Sequence, residues 1–356
     1  MRCDDDPHDD ILRTHQRIPA EAQKMIDLNE LGGSAALYPQ KLGPQLERAL
    51  VVRMSEVDYR AASFLDERMF TRQMEAAWVP VGAMEARLSD IDVKPLHFIF
   101  HIGHVGSTLL SRLLDEGDGV LSLREPLPLR TLAELYDFGK APDALFETFL
   151  KLWSRGFDST RAVVLKATSS VARLGNRLMD AQPDARAVYL SVAAEPYIAT
   201  LLAGPYAASD LNGFGPERLS RLRKLLNDST IAQPKTLGEL AAMSWLTEKL
   251  TQQSVLAANG ARVLPVDFEK FLTATDESLT EILQHFGFDA SPARIASLMR
   301  SPALTRYSKS PDQAYSRELR AQVLQQSREH FADEIKRALK WIEALVQNHE
   351  AVAAII

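Results

Sequence analysis

One stretch constrains this chain more than any other: Phe98-Ile-Phe-His-Ile-Gly-His-Val-Gly-Ser-Thr-Leu-Leu-Ser-Arg-Leu-Leu114. From Leu96 to Phe100 it is bulky and apolar without alternation, as a strand covered on both faces must be. The spacing predicts that the strand stops at Gly103, that Gly103 and Gly106 make a tight turn, and that a helix carries leucines from Thr108 to Leu114. Glycines let backbone close around an anion with amides pointing inward. A helix start adds unbonded N–H groups and the positive end of its dipole. Ser107 and Thr108 add hydroxyls where an oxyanion would sit. The alternative is a glycine turn that only joins strand to helix.

Short apolar runs recur at Val120 to Leu123, Ala162 to Leu165, Ala187 to Leu190 and Arg262 to Phe268, with helical stretches between them. Strands alternating with helices predict an α/β fold around a parallel central sheet with right-handed crossovers. The expected architecture is a three-layer P-loop fold with a small N-terminal appendage and a helical C-terminal part. Residues 1–45 read as a partly ordered leader and 46–92 as a small α/β appendage. In the latter, Leu50-Val51-Val52 is a strand, Tyr59 to Glu75 is helical, Trp78-Val79-Pro80 is a turn and Gly82 to Leu88 is a short helix. The main domain is expected over 93–350, its tail helical except for a loop from Ser301 to Asp312.

With 41 Lys and Arg against 47 Asp and Glu, the net charge is −6, which argues against a nucleic-acid partner but leaves room for a local anion pocket. Cys3 is the sole cysteine, so no intrachain disulfide forms; this fits a cytoplasmic location. No apolar run reaches the length of a membrane span. The His101 and His104 pair lacks acidic or thiol companions and predicts no metal site. The usual nucleotide-hydrolase loop is longer and ends in Gly-Lys-Ser/Thr. Here the lysine is missing and His104 is the nearest cation candidate, which disfavours a P-loop kinase or ATPase using magnesium.

The segment His104-Val-Gly-Ser-Thr108 resembles the phosphate loop of the sulfotransferases. Arg124-Glu-Pro-Leu127 matches the Glu-Pro element of the carbohydrate members, and Val263 to Phe271 resembles the late strand that precedes a helix ending at Phe286-Gly-Phe288. The resemblance spans about residues 96–320. It implies that the loop binds the phosphosulfate end of 3′-phosphoadenosine 5′-phosphosulfate (PAPS), and that a sulfuryl group passes to a hydroxyl or amine of a small-molecule or carbohydrate acceptor without a metal. Candidate catalytic residues are then Glu125 as base, His104 and Lys166. Candidate donor-binding residues are Gly103, His104, Val105, Gly106, Ser107, Thr108, Arg173, Arg306 and Lys309.

Read alone, Glu125 and Lys166 are equally compatible with solvated strand ends, and Thr305 to Ser310 with a solvated linker. The chain departs from the family at the 3′-phosphate site. The usual arginine is absent from Tyr189 to Tyr197, and Glu195 adds negative charge there; Thr200 stands near the family's serine, and Arg173, Arg177 or the loop from Thr305 to Ser310 could substitute for the arginine. An anion-binding protein without chemistry is therefore the alternative.

Overall fold

The computed structural model describes residues 26–71, 74–89, 91, 93–117, 119–205, 207–307 and 314–356. Its centre is a five-stranded parallel sheet: β4 (Leu96–His101), β5 (Val120–Arg124), β6 (Ala162–Lys166), β7 (Ala187–Ser191) and β8 (Val263–Asp267), in the order β5-β6-β4-β7-β8. All five coincide with the apolar runs. They are legible because every residue of β4, β6 and β7 is buried. Helix Ser107–Asp115 packs on β4, β5 and β6, and helix Leu237–Asn259 packs on β8 and on helices Ala194–Leu202 and Ala207–Leu225. β4 is flanked by β6 on one side and β7 on the other, so the chain reverses direction across the sheet at its carboxyl end. Open α/β sheets bind ligands at that point.

The N-terminal region differs from its sequence reading. β1 (Leu37–Leu42), β2 (Arg48–Arg53) and β3 (Ala76–Pro80) form an antiparallel sheet in that order. Trp78 and Val79 are not a turn: they pair with Leu50 and Ala49. The helix expected over Tyr59 to Glu75 is confined to Glu56–Ala61. A capping box between Ser55 and Asp58 starts it, and Ala62 in an extended conformation ends it. The Arg155 guanidinium, fully buried, ties this unit to the main sheet by donating to the carbonyls of Leu31, Ser34 and Leu37. Residues 1–25 lie outside the described residues.

The sheet's other end holds a pH-sensitive group. His97 is buried between the rings of Phe286 and Phe288, and its Nδ1 accepts from the Arg186 amide at 3.1 Å. Burial, reinforced by the charges of Arg186 and His285, pushes its pKa down to about 4. The unfolded chain thus takes up a proton that the folded one refuses. Stability is full above about pH 6.5 and is lost as pH falls towards 4. His97 alone is expected to contribute about 2 kcal/mol of that loss between pH 7 and 5. Urea midpoints at the two pH values check this: His97→Gln should flatten the difference, and an unchanged difference would refute it.

Candidate functional site

The loop after β4 is shaped by three left-handed residues, Gly103 (φ 97), His104 (φ 55) and Gly106 (φ 66). Gly106 is the N-cap of helix Ser107–Asp115, and no side chain caps that helix. Among the described residues, no hydrogen bond engages the amides of Val105, Gly106 or Ser107. The Gly103 amide is held by His101 Nδ1 at 3.0 Å, which fixes the start of the turn. Ser107 and Thr108 are buried, and Thr108 Oγ1 has no hydrogen-bond partner among the described residues. A buried hydroxyl without a partner is costly, and an oxyanion held by the loop would satisfy it. His104 is exposed, its ring edge-on to Tyr197.

Two hydroxyls missed in the sequence face the same turn. A Cβ on Gly103 would stand 3.6 Å from both Ser169 Oγ and Tyr197 Oη. Tyr197 Oη also bonds Ser244 Oγ at 3.1 Å, and burial pushes its pKa up to about 12, so it remains a neutral phenol at pH 7. On the outer side, the ring of Phe268 lies where a Gly106 side chain would be, 2.2 Å from the ideal Cβ position.

Glu125 and Lys166 are not solvated strand ends. Both are buried, and they form an ion pair at the carboxyl ends of β5 and β6. Glu125 has φ 56, unfavourable for a non-glycine residue; its amide donates to the Lys166 carbonyl at 2.8 Å. Thr168 Oγ1 lies 3.4 Å from the second carboxylate oxygen. Thr168 and Ser169 thus join the two halves of the site: one touches Glu125 and the next faces Gly103. The N-terminal unit covers the pair. The Phe64 ring lies 5.6 Å from Lys166 Nζ and 3.6 Å from the Arg68 guanidinium. Arg124 anchors this cover, pairing with Asp115 at 2.5 Å and donating to the carbonyls of Tyr59 and Ala62.

Arg173 is paired with Asp137 at 2.7 Å, and Arg177 is paired with Asp143. Arg306 is exposed, bridged to Ala314, and Lys309 lies outside the described residues. The negative charge of Glu195 is neutralised by Arg328, which grips both carboxylate oxygens at 2.7 and 2.9 Å. Thr200 bonds back to the Pro196 carbonyl of its own helix. Lys249, unremarked in the sequence, reaches Ser191 at the end of β7; burial lowers its pKa. A cleft of about 490 Å³ between helix Ala207–Leu225 and residues 233–240 shares no lining residue with this site. Among the described residues, no three His, Cys, Asp or Glu side chains come together, and no helix is long and apolar enough to cross a membrane.

The chain is similar in structure to solved sulfotransferases. Mouse sulfotransferase SULT7A1, complexed with PAP, matches at 12% identity over 76% of this chain and 91% of its own, with TM-score 0.41. A sulfotransferase from Alicyclobacillus acidocaldarius matches at 13% over 72% and 97%, TM-score 0.39. STF1 from Mycobacterium tuberculosis H37Rv matches at 15% over 70% and 79%, TM-score 0.38. No protein-family model matches the chain, and no curated protein does.

Proposed function

We propose that this chain transfers a sulfuryl group from PAPS to a hydroxyl or amine acceptor. The carrying observation is a continuous run of polar groups: a left-handed loop whose buried Thr108 hydroxyl has no partner among the described residues, joined through Thr168 and Ser169 to a buried carboxylate–ammonium pair. The loop amides, Ser107 and Thr108 would hold the donor's 5′ phosphate end, as the motif resemblance implies. No lysine stands in the loop, so helix dipole and hydroxyls carry the stabilisation. PAPS supplies the sulfuryl group. The acceptor oxygen forms a bond to sulfur while the sulfur–oxygen bond to the phosphate breaks. That electron pair stays on adenosine 3′,5′-bisphosphate, and the acceptor's proton goes to Glu125. Lys166 supplies the counter-charge that Glu125 needs in its buried position.

Calorimetric titration with adenosine 3′,5′-bisphosphate tests the donor site. Ser107→Ala or Thr108→Ala is expected to weaken binding about ten-fold, the worth of one hydrogen bond to a charged group. No heat with this ligand, together with clear heat from ATP and magnesium, would overturn the assignment. The missing loop lysine favours a second reading, an anion-binding protein without chemistry. That reading predicts bisphosphate binding with no release of sulfate or sulfated product from PAPS.

A further inference from the structure

Beside the Glu125–Lys166 pair stand two arginines with unspent hydrogen-bonding capacity. Arg130, in the first turn of helix Leu127–Asp137, places Nη2 4.0 Å from Glu125 Oε2. That is an ion pair without a hydrogen bond, and the Arg130 Nε is buried with no partner among the described residues. Its side chain is 35% exposed. Arg68 spends Nε and Nη2 on Asp66, at 2.8 and 2.5 Å, and lies flat on Phe64. Its Nη1 makes no hydrogen bond among the described residues, and its side chain is 58% exposed. Burial lowers the Arg68 pKa, but Asp66 and then the charge of Glu125 outweigh that, which places Arg68 within the field of the same carboxylate. Among the described residues, Lys166 and Arg130 pair with Glu125, while Arg68, paired with Asp66, shares the Phe64 ring with Lys166. The two cations that open to solvent are both guanidinium forks, the shape that matches a carboxylate or sulfate. A site built for a neutral alcohol has no use for two open guanidinium groups.

We propose that Arg68 and Arg130 form an anion subsite beside Glu125, so that the acceptor handled there carries a carboxylate, sulfate or phosphate group close to the atom that is modified. The word acceptor rests on the transfer reading above; the anion subsite does not. Because Arg68 belongs to the N-terminal unit, that unit becomes a specificity element rather than a passive cover.

Fluorine-detected NMR of the full chain tests this with two matched probes, 4-fluorobenzoate and the neutral 4-fluorobenzamide, each with and without saturating adenosine 3′,5′-bisphosphate. The benzoate is expected to bind at least about ten-fold more tightly than the amide, a difference of one charge-assisted contact. Arg68→Gln and Arg130→Gln, made singly and together, should each reduce that preference while thermal melts stay cooperative. Equal binding of the probes, no binding of the benzoate, or a preference untouched by both substitutions would overturn the proposal. If the bisphosphate fails to bind but the arginine-dependent preference persists, the transfer reading falls and the anion subsite stands.

Discussion

Lys166→Met is expected to be among the most damaging single substitutions in the chain, costing about 3–5 kcal/mol of stability and essentially all transfer. Lys166 is fully buried and its ammonium is paired with Glu125, itself only 8% exposed. Methionine fills much the same volume but leaves the carboxylate in a dry site with its main counter-charge gone. The cost therefore comes from the stranded partner, and removing both charges should relieve it. The double variant E125Q/K166M is expected to regain most of the lost stability, since a buried pair replaced by neutral groups of similar shape is often near neutral. It should not regain activity, because the proposed proton acceptor is gone; the loss expected from removing a general base is about 10²–10⁴-fold. Urea unfolding of the four members of this cycle measures the coupling directly. A Lys166→Met variant within about 1 kcal/mol of the parent would show that the pair is not held in the buried state described.

The same contrast between local and distant information separates what the sequence discloses from what it hides. The parallel strands were legible because burial on both faces turns them into unbroken apolar runs, as in Phe98 to Phe100. Of the antiparallel sheet only β2 was, at Leu50 to Val52; β1 and β3 were not, because Pro39 and Pro80 look like breakers. Both sit in edge strands, where a missing N–H costs nothing. Helix Ala207–Leu225 was hidden likewise by Pro216 within it. In the site, the turn after β4 was legible because Gly103, Gly106, Ser107 and Thr108 fall within six residues. Ser169, Tyr197, Phe268, Phe64 and Arg130 were not, since nothing local marks a residue that acts through a neighbour far along the chain. Glu195 is the plainest case: the charge that looked hostile to an anion is neutralised by Arg328, 133 residues later. Glu125 shows the converse. Its position before Pro126 was visible, but its left-handed backbone and buried partner exist only in the folded sheet.

Gly106→Ala should disable the loop more completely than removal of either hydroxyl, for two reasons that can be separated. At φ 66 any side chain costs about 1–2 kcal/mol. The larger effect is steric. The new Cβ would stand 2.2 Å from Phe268 Cε2 and 2.9 Å from Cδ2 and Cζ. The ring cannot easily yield: it is 5% exposed, and the Arg320 guanidinium lies 5.1 Å from its centroid while bonding both carboxylate oxygens of Glu269. The loop must therefore move, displacing the amides of Val105 and Ser107, which no hydrogen bond engages among the described residues. Loss of about two or more such contacts corresponds to a hundred-fold or greater fall in affinity for adenosine 3′,5′-bisphosphate. Phe268→Ala opens the space. Alone it should destabilise the fold by about 3–5 kcal/mol, as the loss of a buried aromatic does. Combined with Gly106→Ala it should restore part of the binding, and the two stability losses should sum to more than the loss in the double variant. Strict additivity in both readouts would mean that Phe268 does not press on the loop, and that Gly106 is required for its backbone angle alone.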